Sequence, residues 1–138
     1  MNDLEKRIIK LSYENKLTHL GSNLTAVNII DEIFQRKRPG EKFVLSCGHA
    51  NLALQVVLKK YGFIENESLD THPDRLTQKA VDCSTGSLGW GLSIALGMAL
   101  ADRGKDVYCL ISDGECMEGI IWEALMIRAK NLLTNLIV

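Results

Sequence analysis

Leu4, Ile8 and Leu11 recur at helical spacing, so the chain from about Asp3 to Lys16 reads as an amphipathic helix. A polar, glycine-containing connection, Thr18-His-Leu-Gly-Ser-Asn-Leu24, follows. Thr25 reads as the N-cap of a second helix that turns Val27, Ile30, Ile33 and Phe34 inward. Pro39-Gly40 turns the chain, and Lys42 to Ser46 is a short strand. A third helix is expected from about Ala50 to Tyr61, with Gly62 placed for a left-handed cap. Glu65 to Cys83 is polar and without period, and reads as a long functional loop rather than a linker. Leu88 to Ala101 is apolar nearly all round, which predicts a helix buried on most sides, ended by Gly104. Val107 to Ile111 is a buried strand, Glu118 to Lys130 a helix, and Asn135 to Val138 the start of a further strand. Helices alternating with short apolar strands predict an α/β fold, a parallel sheet with flanking helices, with no internal repeat.

Composition narrows the class. A chain of 138 residues is one domain by length, and 46% apolar with 24% charged residues is ordinary for a soluble globular protein. A net charge of −1 argues against nucleic acid or an anionic membrane as partner. Arg36-Lys-Arg38 precedes Pro39-Gly40 and reads as a solvated helix end. The amino terminus has no apolar core suited to a signal peptide, and no run approaches the roughly 20 apolar residues of a membrane span. Cys47, Cys83, Cys109 and Cys116 lie far apart with no C-x-x-C pair, so a zinc site would need scattered ligands. The expected setting is cytoplasmic, with reduced thiols.

Three glycine-bearing turns carry the candidate chemistry: Thr18 to Thr25, Ser84-Thr-Gly-Ser-Leu-Gly-Trp-Gly91, and Ser112-Asp-Gly-Glu-Cys-Met-Glu-Gly119. The last follows a strand and precedes a helix, where backbone N–H groups favour a phosphate and a carboxylate can hold its divalent metal. Taken singly each turn is a weak signal, since glycines also open helices for packing reasons. The second is not a dinucleotide fingerprint, because its order is G-x-x-G-x-G. All three histidines stand in turns or at helix starts: His19 near Gly21, His49 after Gly48, and His72 before Pro73. Imidazoles so placed suit proton transfer and hydrogen bonding to hydroxyls or phosphate oxygens. On the residues alone, Asp113 would serve equally as a capping residue, Glu118 as a favourable charge at a helix N-terminus, and Leu88 as core.

In order along the chain stand Lys16-Leu-Thr-His-Leu-Gly-Ser-Asn-Leu-Thr, Lys42-Phe-Val-Leu-Ser-Cys-Gly-His-Ala, His72-Pro-Asp, Ser84-Thr-Gly-Ser-Leu-Gly-Trp-Gly-Leu-Ser and Ser112-Asp-Gly-Glu-Cys-Met-Glu-Gly-Ile-Ile-Trp-Glu-Ala. Together they closely resemble the amino-terminal part of transketolase, a thiamine-diphosphate enzyme, over nearly the whole chain. The lean spacing is more similar to the small split transketolases, in which two chains supply the halves, than to the long single-chain form. The resemblance implies a thiamine-diphosphate-binding (pyrophosphate-domain) fold, truncated, with residues 1–138 forming a partial domain. It implies Asp113 as the magnesium ligand, Gly114 as a backbone donor to the diphosphate at a helix start, and His49 as a diphosphate contact. Gly86, Ser87 and Leu88 match the stretch that lines the cofactor rings. His19 and His72 match histidines at the substrate hydroxyls, where they assist proton transfer. Glu118 resembles a glutamate in a carboxylate network between subunits, and Glu123 is a candidate to join it, although five residues place the two about 140° apart on a helix.

The implied activity is transfer of a two-carbon ketol unit between sugar phosphates, with thiamine diphosphate and Mg2+, the protein supplying position, a metal clamp and proton carriers. The sequence departs from the family pattern at Trp90, usually glutamine, at Ser112, usually glycine, and at Ala80, commonly glycine. Serine is tolerable at 112, where its hydroxyl could bond a phosphate oxygen, and Trp90 is bulky beside the cofactor loop and bears on the ring environment. The family's second metal ligand, an asparagine, and its second domain are not among these residues, so a second chain or a homo-oligomer is the expected partner. A related thiamine enzyme such as deoxyxylulose-phosphate synthase, and a non-catalytic assembly module, are the rival readings. The 138-residue chain alone is expected to show no ketol transfer, and turnover by the purified chain in a donor–acceptor assay would overturn that expectation.

Overall fold

The computed structural model describes residues 1–138. Three parallel strands, Lys42–Leu45 (β1), Val107–Leu110 (β2) and Leu136–Ile137 (β3), form one sheet in the order β1-β2-β3. Val44 lies beside Cys109, and Val107 beside Leu136. Around the sheet stand the helices Asp3–Asn15 (α1), Leu20–Arg36 (α2), Asn51–Lys60 (α3), Trp90–Ala101 (α4) and Gly119–Lys130 (α5).

The two-residue period of the strands divides the interior into two cores. Phe43 and Leu45 of β1 face α1, α2 and α3, where they join Ile8, Val27, Ile30 and Val57. Val44, Val107, Cys109 and Leu136 face the other way, onto Leu92, Ala95 and Ala99 of α4 and Ile121 and Ala124 of α5. Tyr108 and Leu110 of β2 are only half-buried against the first core. The expected burial of β2 therefore holds on one side. On the other, Tyr108, Leu110 and Ile137 line an open groove beside Ile29 and Ile33 of α2.

Local signals explain most element ends. Asn2 and Glu5 form a reciprocal capping box at the start of α1, and Lys16 closes it at φ 52°. Gly62, at φ +74°, takes the left-handed place after α3. The Asn135 side chain, buried, donates to the carbonyls of Ala99, Asp102 and Lys105, each at 3.0 Å, and satisfies the end of α4 from a distant strand.

Two expectations fail for tertiary reasons. The second helix begins at Leu20, so the polar segment before Thr25 is helical rather than a connection. Its start is held by Asn23, whose Nδ2 donates to the His19 carbonyl at 2.9 Å while Oδ1 accepts from the Ala53 N–H at 2.8 Å. Thr25 instead bonds back to the Gly21 carbonyl within the helix. Helix α4 is not buried on most sides: Gly91, Leu92, Ala95, Leu96 and Ala99 are buried, but Trp90, Ile94 and Leu100 are exposed. On α5, Trp122 and Met126 are exposed as well.

Between α3 and α4 the chain runs without helix or strand, as expected of a long functional loop. Polar contacts fasten it. Asn51 donates to the Asp70 carbonyl, Gln55 donates to Gln78, and the Ser68 N–H donates to Gln55. Glu67, 6% exposed, accepts from Arg7 of α1 and Lys59 of α3, both at 2.9 Å. Burial pushes the Glu67 carboxyl up, but the Arg7 and Lys59 hydrogen bonds outweigh it and hold the pKa at about 2, against an ordinary 4.5. A depressed folded-state pKa contributes stability that is full above the unfolded value and lost as pH falls through the folded one. Stability should therefore decline between about pH 4.5 and about pH 2 through this group. Glu67→Gln should flatten that limb in denaturant titrations across pH, and an unchanged acid limb would refute the assignment.

Candidate functional site

The carboxyl ends of β1 and β2 open onto a cleft of about 590 Å3, within the range of roughly 300–1,000 Å3 usual for small-molecule sites. Cys47 and His49 enter it from the turn after β1, Ser112, Asp113 and Gly114 from the turn after β2, and Leu88 from the loop before α4. Thr25, Ala26 and Ile29 of α2 close the opposite wall. The lining divides by chemistry, with Ile29, Leu88 and Ile111 apolar and His49, Asp113 and Gly114 offering an imidazole, a carboxylate and a backbone N–H. Nothing lies within 4 Å of where a Gly114 Cβ would be, so that backbone stands open.

Close packing brings the turns together. A Cβ on Gly48 would sit 2.9 Å from Thr85 Oγ1 and 3.0 Å from the Thr85 backbone, so the His49 turn presses directly on the Thr85 loop. Thr85 Oγ1 donates to the Leu45 carbonyl at 2.6 Å, which ties that loop to the end of β1. A Cβ on Gly86 would meet the His72 ring at 3.3 Å, placing His72 against the segment Gly86-Ser87-Leu88.

The histidines gather on this side of the sheet. His19, at φ 61° just before α2, sets its ring 5.3 Å from that of His49. The two share a small polar pocket with Asn23, Asp70 and Thr71, next to the larger cleft. His72, which lines neither, is exposed on the fastened loop. Burial lowers the pKa of His49, and the neighbouring His19 and, less strongly, His72 lower it further, while Glu115 opposes them. At neutral pH the His49 ring is thus held in its uncharged form, able to accept at one nitrogen and donate at the other.

Beneath the cleft lies Glu115, fully buried. One carboxylate oxygen accepts from Ser46 Oγ at 2.5 Å and the Gly89 N–H at 2.8 Å. The other accepts from the Ser112 N–H at 2.9 Å and Ser112 Oγ at 3.2 Å. The acidic turn was legible in sequence only as a unit. Nothing in the local pattern separates a buried glutamate at 115 from the exposed aspartate two residues before it.

The family model for the transketolase thiamine diphosphate binding domain matches residues 15–138. The chain belongs to the transketolase family. It is 32% identical over 156 aligned residues to an apulose-4-phosphate transketolase subunit from Phocaeicola vulgatus, covering 96% of this chain and 55% of that subunit. It is 35% identical over 143 aligned residues to the 6-deoxy-6-sulfo-D-fructose transketolase subunit SqwG of a Clostridium species, covering 86% of this chain and 52% of that subunit. The chain thus spans about half the length of these relatives. Among solved structures, the transketolase from Leishmania mexicana superposes with a TM-score of 0.80 over 99% of this chain and 27% of its own, at 21% identity, which shows a shared fold. The parallel sheet with flanking helices is therefore that of a transketolase thiamine-diphosphate-binding domain.

Set against the transketolase pattern, the residues fall into two groups. His49, Leu88, Asp113 and Gly114 line one cleft, while Gly86 and Ser87 adjoin it through the Leu88 loop. Glu118 and Glu123 do not line it: Glu118 is the exposed, extended residue before α5, and Glu123 is exposed on that helix. Asp113-Gly114 leads into a 3-10 turn, Gly114–Met117, and the helix expected from Glu118 begins at Gly119. The Ser112 hydroxyl donates to Glu115 rather than pointing its proton at the cleft's ligand side. Trp90 does not line the cleft and is 57% exposed. No group of three or more His, Cys, Asp or Glu side chains that could hold a metal ion occurs, and no helix is long and apolar enough to cross a membrane.

The proximity of His19 makes a direct prediction. In an NMR titration His49 should ionise below the ordinary histidine value of 6.5, and His19→Asn should move its midpoint back up. A midpoint indifferent to His19 would show that the neighbouring ring does not contribute.

Proposed function

We propose that the cleft at the carboxyl ends of β1 and β2 holds thiamine diphosphate with Mg2+, and that the complete assembly transfers a two-carbon ketol unit between sugar phosphates. The observation that carries this reading is the convergence of His49, Leu88 and Asp113-Gly114, from three separate turns, on one cleft in a transketolase-family domain. The lining suits the group: Ile29, Leu88 and Ile111 offer apolar surface for rings, and His49 and the open Gly114 backbone offer polar contacts for a diphosphate. Asp113, in the cleft lining, would offer its carboxylate to the cation. One carboxylate is too few to fill a magnesium shell, so Asp113 would share the ion with ligands other than the side chains of this cleft. When bound, thiamine diphosphate supplies the carbanion chemistry on which ketol transfer depends.

The chain's own residues have distinct tasks. His49, kept uncharged by burial and by His19, would orient the cofactor's polar end through a hydrogen bond without adding a positive charge. His19 and His72 would bind substrate hydroxyls and carry protons near them. Glu118 and Glu123, exposed outside the cleft, would act across the boundary between two chains. A partner chain fits two observations: the Phocaeicola and Clostridium relatives are both named as subunits, and α4 and α5 expose Trp90, Ile94, Trp122 and Met126.

Calorimetry with thiamine diphosphate, with and without Mg2+, on the chain combined with its partner tests the proposal. The wild type should bind in a Mg2+-dependent manner. Loss of an outer-shell partner alone costs roughly 10–100-fold in metal affinity, so Asp113→Ala should weaken Mg2+-dependent binding by at least about tenfold. Absence of cofactor binding by the wild-type assembly would refute the reading.

A further inference from the structure

We propose that Glu115 is a positioning residue for the cofactor cleft: one buried carboxylate sets the relative placement of the three turns that line it, without touching what binds there. Glu115 is fully buried and absent from the cleft lining, so it cannot reach a ligand. Each turn that does line the cleft is tied to it by a residue one to three positions away. Ser46 precedes Cys47-Gly48-His49, Gly89 follows Leu88, and Ser112 precedes Asp113-Gly114.

The requirement is for a group that accepts on both oxygens. Each oxygen receives one backbone N–H, from Gly89 or from Ser112, and one serine hydroxyl. A hydroxyl can rotate and reverse its role, but a backbone N–H only donates. An amide at position 115 would therefore set its NH2 against the Gly89 N–H or the Ser112 N–H, whichever way it turned. No basic side chain forms an ion pair with Glu115, so these four donors are its whole compensation for burial. The surroundings are also tightly packed. A Cβ on Gly91 would lie 2.5 Å from Ser46 Cα, and one on Gly89 would lie 2.6 Å from Ile120. Because the turns pack this closely, a shift of one of them at the carboxylate is passed to the others.

The proposal rests on the thiamine-diphosphate reading, and its test separates the two. Ser46→Ala removes one of the four donors, from a buried residue that does not line the cleft, and keeps the Cβ that packs on Gly91. Glu115→Gln is the stronger variant. Ile8→Val, a truncation in the other core, controls for a loss of stability alone. Backbone NMR of the 138-residue chain and calorimetry of the partnered assembly with thiamine diphosphate and Mg2+ are the readouts. In Ser46→Ala, amide resonances of Leu88 and Gly114 should shift although both lie far along the chain. Cofactor affinity should fall by about tenfold, the scale of one hydrogen bond to a charged group, and further in Glu115→Gln. Ile8→Val should lower the melting temperature without either effect. If Glu115→Gln does not fold, Ser46→Ala decides. Unchanged affinity in folded Ser46→Ala overturns the proposal. If the wild-type assembly binds no cofactor, the functional reading fails separately. The resonances then decide the positioning role: shifts confined to the neighbours of Ser46 overturn it, and shifts at Leu88 and Gly114 sustain it.

Discussion

A carboxylate removed from water must find its hydrogen bonds within the protein, and at Glu115 that constraint joins the ends of two strands to the start of a helix. Ser46 follows β1, Ser112 follows β2, and Gly89 precedes α4. Parallel strands carry their carboxyl ends to one edge of the sheet, where the turns diverge toward different helices and leave a crevice. Without a common acceptor the walls of that crevice would be set only by side-chain packing. The buried carboxylate gives them a fixed point, and the glycines at 48, 89 and 91 allow the backbones to approach closely enough to share it.

The chemistry above that point follows from the same crowding. His49 is placed by Gly48 pressing on Thr85, and its charge state is set by burial and by the ring of His19. His19 owes its position to a left-handed backbone conformation before α2, which Asn23 stabilises by bonding both to the His19 carbonyl and to the start of α3. His72 is held less directly, through a loop whose anchors are Asn51, Gln55 and the Arg7–Glu67–Lys59 group. Arg7 lies on α1, so the first helix of the chain also helps to anchor this loop. Asp113 and His49 thus stand in turns just after strand ends, and His72 on a loop held by part-buried polar contacts.

The exposed apolar side chains of α4 and α5 complete the picture. A helix apolar all round would be wholly interior in an isolated domain. Here one side packs on β2 and its own partner helix, while Trp90 and Ile94 remain open. Exposed apolar side chains of this kind support the partner chain proposed above. It agrees with relatives that are named as subunits.

The sequence by itself determined the elements and their order. Hydrophobic period, turn residues and glycine caps locate α1, α3, α5 and the three strands to within a residue or two, because those signals act between near neighbours. The motif order also identified the family and the residues His49, Leu88, Asp113 and Gly114 that share the cleft. What tertiary structure decided was everything set by contacts distant along the chain. Asn23 extends α2 back to Leu20 through Ala53, thirty residues away. The sheet divides the apolar residues between two cores but leaves one side of β2 and of α4 partly uncovered. Most of all, the fold turned Glu115 inward and Asp113 outward, though both are acidic residues of one short turn. Local pattern cannot distinguish them, because the four donors that make burial tolerable come from residues 46, 89 and 112, which meet only when the chain has folded.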